Sequence, residues 1–171
     1  MPEPTIEWAS LDAMTVDVAK NATCAVLFAG RCRYAGALRR RAQPDTLSLV
    51  DDWSAYPDGR ILGAVQKKFL VPIRKGQVTL VQKTPANAVG DFGDGTLDWL
   101  CLDTTKVEAT VLATLNAYLS KLTVNGRILV CNYDQSGVEN AVQTFLGQHA
   151  NVELLGRTKL SPIGVAMRKT S

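Results

Sequence analysis

The sequence predicts an α/β domain built on a mainly parallel sheet with helices on both faces. Two observations carry this. Short apolar runs rich in strand formers alternate five times with stretches of helical periodicity, and such alternation implies parallel strands joined by crossover helices. The last two runs, "NVELLG" (151–156) and "SPIGVAMRK" (161–169), lie too close together for an intervening helix. They read as an antiparallel hairpin. The 171 residues suit one domain, with an N-terminal extension over 1–22 and a core over 23–171, long enough to bury a sizeable interior.

Residues 10–20 read as a short leading helix with Leu11, Met14 and Val18 on one side. "CAVLFAG" (24–30) is a continuous apolar run stopped by Gly30, as expected of a strand buried on both faces. A helix from Tyr34 to Ala42 follows, then "TLSLVDDW" (46–53), a strand ending in Asp51 and Asp52. Between Gly59 and Leu70, the residues Ile61, Leu62, Val65 and Phe69 share one helical face. Gly76 precedes the strand "QVTLVQ", Pro85 opens a short helical segment near Ala88, and "GDFGDG" (90–95) is a turn-rich loop.

"LDWLCLD" (97–103) is another buried strand ending in an acid. The clearest helix comes next, with Val107, Val111, Leu112, Leu115, Tyr118, Leu119 and Leu122 spaced by threes and fours. Asn125-Gly126 is expected to end that helix and begin the strand Ile128 to Cys131. The last helix is expected at 137–148.

Composition excludes several classes of function. An apolar fraction of 46% and a charged fraction of 20% are those of an ordinary globule. The net charge of +3 comes with no RNA or DNA motif, so nucleic acid is not the expected partner. No apolar run approaches the ~20 residues that span a bilayer, and the acidic, proline-broken N-terminus is no signal peptide. A cytoplasmic setting is expected. Cys24, Cys32, Cys101 and Cys131 lack zinc-ligand spacing and read as buried structural thiols. His149, the single histidine, is expected near a helix C-terminus, which argues against a Ser-His-Asp hydrolase or a histidine-rich metal site.

One segment points to a site. In "VNGRILVCNYDQSGVENAVQTFL" (124–146) a strand empties into Asn132, Tyr133 and Asp134 just before a helix. Open α/β sheets place their ligands at such strand ends.

Five alternating units capped by a hairpin resemble the class I S-adenosylmethionine-dependent methyltransferases over about residues 22 to 168. The likeness is nearest to macrocin-type small-molecule O-methyltransferases, through "CNYDQSGVENAVQTF" (131–145), "LDWLCLD" and "LVDDW". The resemblance implies a Rossmann-like sheet of seven strands in the order 3-2-1-4-5-7-6, with only strand 7 antiparallel. It also implies S-adenosylmethionine as cofactor and methyl transfer to an oxygen or nitrogen acceptor.

The implied cofactor-binding residues are Ala29, Gly30, Asp51, Asp52, Trp53, Thr84 and Asp103. A ribose diol offers two hydroxyl donors and Asp51 could accept both, with Asp52 as understudy. Trp53 would pack beside the adenine, near which Thr84 also lies. Gly30 would let the backbone approach the methionine part, and the amides opening the next helix would favour its carboxylate. Asp103 or Asp134 would take or orient the acceptor's proton, beside Asn132 and Tyr133.

The chain departs from the family pattern in three places. Tyr34 stands where a second glycine is usual, with Gly36 close by as a substitute if the loop is longer. Gln82 or Lys83 replaces a glycine after the third strand. Cys131 and Asn132 replace the paired aspartates that hold a divalent metal, and magnesium prefers hard oxygen ligands. No tight metal site is therefore expected. The short segment before the first core strand leaves an acceptor site that is open, suited to a small or a large substrate, or completed by another subunit of a homo-oligomer or a partner.

Each residue also has a plainer reading. Asp51 and Asp52 could form a solvated turn or cap a helix, and Gly30 could be a simple chain turn. Asp103, Thr104 or Thr105 could cap the long helix. Asn132 and Asp134 could build an Asx turn. Arg39, Arg40 and Arg41 read as a solvated helix end, and Lys67 and Lys68 as surface charge. The alternative function is a methyltransferase fold without catalysis, serving as a binding or assembly module.

Overall fold

The computed structural model describes residues 6–103 and 106–171. In chain order the elements are β1 (Ile6–Trp8), α1 (Leu11–Met14), β2 (Thr23–Leu27), α2 (Arg33–Arg41), β3 (Thr46–Val50), α3 (Arg60–Lys68), α4 (Leu70–Arg74) and β4 (Val78–Val81). Then come α5 (Pro85–Ala88), β5 (Leu97–Leu102), α6 (Glu108–Tyr118), β6 (Leu122–Val130), α7 (Ser136–Gln148), β7 (Val152–Thr158) and β8 (Val165–Lys169).

The strands form a single sheet in the order β1-β7-β8-β6-β5-β2-β3-β4. Without β1 this is the expected seven-strand order. Among the described residues only β8 runs antiparallel to its neighbours. Side chains alternate between two cores, as a pleated strand requires. On β2, Cys24 and Val26 face one cluster with Tyr34 and Leu38 of α2 and Val65 of α3. Ala25 and Leu27 face the other, with Leu115 of α6 and Val142 and Phe145 of α7. A strand covered on both faces needs no polar alternation, which is why β2 reads as an unbroken apolar run.

The sheet has eight strands rather than seven. Ile6–Trp8, expected to belong to an extension, pairs parallel with β7. Three residues are too few for any period to show. Gly156 admits them: a Cβ there would collide with the carbonyl oxygen of Ile6 and stand 2.6 Å from Trp8. Gly156→Ala is expected to displace β1 and lower stability by about 1–3 kcal/mol, the range for overpacking. Urea unfolding followed by tryptophan fluorescence checks this, and a variant as stable as the native chain would contradict it.

Three boundaries differ from expectation. The leading helix is a single turn, α1, followed by a 3-10 turn over Thr15–Asp17. The helix from Gly59 does not stop at Leu70 but continues as α4, in which Pro72 falls in the first turn, where the amide donor it lacks would have no acceptor within that helix. Asn125-Gly126 does not separate helix from strand. The long helix ends in a 3-10 turn at Leu119–Lys121, and β6 begins at Leu122. Asn125 has a φ of 68°, and the pairing with β5 jumps from Leu97↔Leu122 to Trp99↔Arg127. The dipeptide makes a bulge inside the strand.

Candidate functional site

The order of strands locates a switch point. From β2 the chain steps to β3 and β4 on one side, and from β5 to β6 on the other. The order therefore reverses between β2 and β5, and ligands of open α/β sheets bind at such a point, outside the carboxyl ends of the strands. Backbone bonds carry the sheet register into the loops at this edge. Ala29 donates to Val50, Asp51 to Val81, Asp103 to Leu27 and Cys131 to Leu102, at 2.9–3.2 Å. Gly30, Asp51, Asp103 and Asn132 consequently emerge along one rim.

The turn after β2 is unusual. Phe28, Gly30 and Cys32 have φ of 56°, 46° and 53°. Two of the three are not glycine, and a left-handed residue with a Cβ costs roughly 1–2 kcal/mol. Such a turn persists only if its surroundings over-determine it. Asp51 supplies part of that: its Oδ2 accepts the Gly30 amide at 2.8 Å and its Oδ1 the Trp53 amide at 2.7 Å. The Trp53 indole donates to the Gly30 carbonyl at 3.0 Å.

The sequence-derived cofactor residues therefore divide. Asp51 stands at the rim between the turn and β4. Its carboxylate offers about four acceptor positions, and the two amides use half of them. Capacity remains for two further donors. Trp53 is 3% exposed and braces the turn from the core, so its ring is not free to stack on an adenine. Ala29 is fully buried, with its amide on Val50 and its carbonyl accepting the Cys32 amide. Asp52 is exposed and accepts the amide and hydroxyl of Ser54, bonds that hold its carboxyl below the usual range. Thr84 caps α5 through the Asn87 amide at 3.3 Å. Neither Asp51 nor Asp52 caps a helix, because α3 starts after Gly59.

Asp103 is not the cap of the long helix either, since α6 begins at Glu108 with Val107 before it and no side-chain cap. Thr104 and Thr105 lie outside the described residues. Burial pushes the Asp103 carboxyl above its ordinary value, opposed by Arg33 at the start of α2. The Cys32 thiol beneath the turn is pushed up to about 12, chiefly by burial, with Lys68 pulling it down and Asp51 and Asp103 raising it further. One buried atom senses both carboxylates. They flank the same turn.

Asn132 takes a φ of 60°, which asparagine tolerates, and its carbonyl receives the Gln135 amide in a turn before α7. Tyr133 donates its amide to Ile163. Asp134 is engaged by Ser161 of the β7–β8 turn at 3.4 Å, so it leans toward the hairpin rather than toward Asp103. Cys131 is buried with its sulfur 4.0 Å from that of Cys101. All four cysteines are free and buried, and His149 follows α7 with its ring 2.7 Å from Asn116 Oδ1. Among the described residues no group of three or more His, Cys, Asp or Glu stands ready for a metal ion. Among the described residues no helix is long and apolar enough to cross a membrane.

The structure adds to the sequence reading at four residues. Tyr34, in place of a second glycine, is 5% exposed and packs into the core beneath α2. Gly36 lies within α2, not in a longer loop. Arg39 is partly buried and donates to Gln77 at 2.7 Å, so only part of the arginine run is solvated. Lys68 is no idle surface charge: its ammonium donates to the Cys32 carbonyl at 2.7 Å. A contact spanning 36 positions leaves no local pattern. The nearest signal was Gly36, a glycine in an otherwise good helix, where it costs stability.

The sequence matches no protein-family model and no curated protein. The fold is similar to that of solved methyltransferases. An rRNA methylase from Streptococcus thermophilus aligns over 94% of either chain with a TM-score of 0.71 and 14% identity. The O-methyltransferase TomG from Streptomyces achromogenes, involved in tomaymycin synthesis and solved with S-adenosylmethionine, aligns with a TM-score of 0.72 and 12% identity. That match spans 94% of this chain and 78% of TomG. A methyltransferase from Geobacter sulfurreducens gives 0.69 at 13% identity, over 94% and 76%. At such identities the likeness is one of architecture: the chain has the Rossmann-like fold of the class I methyltransferases.

Proposed function

We propose that the chain binds S-adenosylmethionine at the β2–β5 switch point and transfers its methyl group to an oxygen or nitrogen acceptor. The observation that carries this is the placement of Asp51 and Asp103 on either side of one braced, left-handed turn at the switch point of the sheet. Two sets of polar groups would suit the cofactor. Asp51 keeps two acceptor positions for the ribose hydroxyls, and α2 opens on Cys32 with no side-chain cap, so its first amides are free for a carboxylate.

When bound, the cofactor supplies an electrophilic methyl group on sulfur. The chain's own part is positioning and proton management. Asp103, held above the ordinary carboxylate range by burial, is a stronger base than a solvated aspartate and would accept the acceptor's proton. Asn132 and Tyr133 on the next strand end would orient the acceptor, and alignment supplies much of the rate in such a transfer. Asp134 would serve from the hairpin side. Closeness to the macrocin type belongs to the same proposal, supported by "GVENAVQTF" (137–145) opening α7. So does a cytoplasmic setting, and so does an acceptor site completed by a second subunit.

One observation favours a second reading. Both Asp51 oxygens already hold backbone amides, and Trp53 is locked in the core, as expected of a fold kept for assembly rather than chemistry. The test is transfer of a radiolabelled methyl group to panels of hydroxylated and amine acceptors, with magnesium and with EDTA. Transfer that persists in EDTA is expected, because Cys131 faces the core and Asn132 offers only a carbonyl oxygen. Strict magnesium dependence would restore a macrocin-type metal mechanism. Transfer to none of the acceptors would favour the assembly reading.

A further inference from the structure

We infer that Lys68 is a positioning residue for the amino-acid arm of the cofactor, an inference that rests on the reading above. Lys68 sits at the end of α3 and reaches across to α2. Its ammonium donates to the Cys32 carbonyl at 2.7 Å, the same oxygen that receives the Gly36 amide as the first bond of α2 at 3.1 Å. Gly36 makes this reach possible. A Cβ at that position would stand 2.8 Å from the Lys68 nitrogen and 3.0 Å from its Cε. The ammonium also lies over the Phe69 ring, 5.3 Å from its centroid.

The bond matters because of where it lands. Cys32 is the left-handed residue that swings the chain from the Gly30 turn into α2, with φ 53° and ψ 43°. Asp51 and Trp53 fasten the turn at Gly30, and Lys68 fastens it at Cys32. If Cys32 relaxes toward an ordinary conformation, the amides of Arg33, Tyr34 and Ala35 swing away. The adenosine half of the site, which depends on Asp51 and β4, keeps its shape. Lys68 also sets its charge beside that helix start, where it favours an anion. Loss of Lys68 should therefore damage recognition of the methionine carboxylate and spare recognition of the nucleoside.

The experiment uses two ligands that share the adenosine and differ in the arm: S-adenosylhomocysteine, which carries it, and 5′-methylthioadenosine, which lacks it. Both are titrated calorimetrically into the native chain, Lys68→Met and Gly36→Ala. Lys68→Met removes the donor and keeps the stem; Gly36→Ala keeps the charge but pushes the ammonium off Cys32. Both variants are expected to bind S-adenosylhomocysteine about tenfold more weakly, the scale of one charge-assisted bond. Binding of 5′-methylthioadenosine should change by less than about twofold, within the noise of an untouched site. Equal weakening of both ligands, or of neither, overturns the role of Lys68 while leaving the cofactor reading intact. A native chain that binds neither ligand removes the cofactor reading and this inference together.

Discussion

Asp51→Ala is expected to lower stability by about 2–3 kcal/mol in the absence of any ligand, because it strands two amides in a partly buried turn. The amides are those of Gly30 and Trp53, held at 2.8 and 2.7 Å. Among the described residues Asp51 alone holds the Gly30 amide, and relaxation of the left-handed Phe28 and Cys32 would offset only part of the loss. At temperatures where the variant stays folded, S-adenosylhomocysteine should bind ~1–3 kcal/mol more weakly, the loss of hydrogen bonds to a charged acceptor. Asp51→Asn separates the two roles. Its amide oxygen can hold one of the backbone amides, but its NH2 group faces the other, so about half of the stability loss is expected. Urea unfolding alongside calorimetry reads both effects. A ligand-free Asp51→Ala as stable as the native chain would show that the turn is braced elsewhere.

Asp103→Asn should move stability and activity in opposite directions. Burial raises the Asp103 carboxyl above its unfolded value, so the native state binds its proton more tightly than the unfolded state does. The stability this provides is present at low pH and is lost as pH rises through the raised pKa. At neutral pH the native chain therefore carries the cost of a buried, ionised carboxylate that Asn lacks. Asp103→Asn is expected to be more stable at neutral pH by about 0.5–2 kcal/mol, as is common when a functional residue is replaced. The gap should narrow toward about pH 4, where carboxylates protonate in either state. Methyl transfer should fall by about 10²–10⁴-fold, the range for losing a general base. Removing the opposing charge with Arg33→Ala should shift the acidic limb of the rate profile upward. Urea melts across pH and the pH–rate profile measure these effects, and an Asp103→Asn variant of native activity would remove the base from the mechanism.

The parallel core of the fold was legible because each buried strand is a short apolar run separated from the next by a helical period. β1 was not, since its place depends on the room left by Gly156 rather than on its own three residues. The bulge at Asn125-Gly126 was misplaced for a related reason. The same dipeptide that ends helices also turns within strands, and only the pairing with Leu97 and Trp99 decides between them. The candidate site was legible where a carboxylate ends a strand, as at Asp51 and Asp103. What the sequence does not show is how those carboxylates are used. Asp51 meets Gly30 across 21 positions, and Lys68 meets Cys32 only because Gly36 lets it pass. The position of Trp53 after the acid suggests an adenine contact, whereas its indole turns inward to the Gly30 carbonyl.

The central claim, that the β2–β5 switch point is a cofactor site, is tested most directly by thermal unfolding and calorimetry with S-adenosylhomocysteine. A ligand that binds only the native state stabilises it by mass action, by about 2.7 kcal/mol at a hundred times its Kd. The account predicts one-to-one binding heat and a melting temperature that rises with ligand concentration, both diminished in Asp51→Ala. No heat and no shift at millimolar ligand would contradict it and leave a methyltransferase fold that serves another purpose.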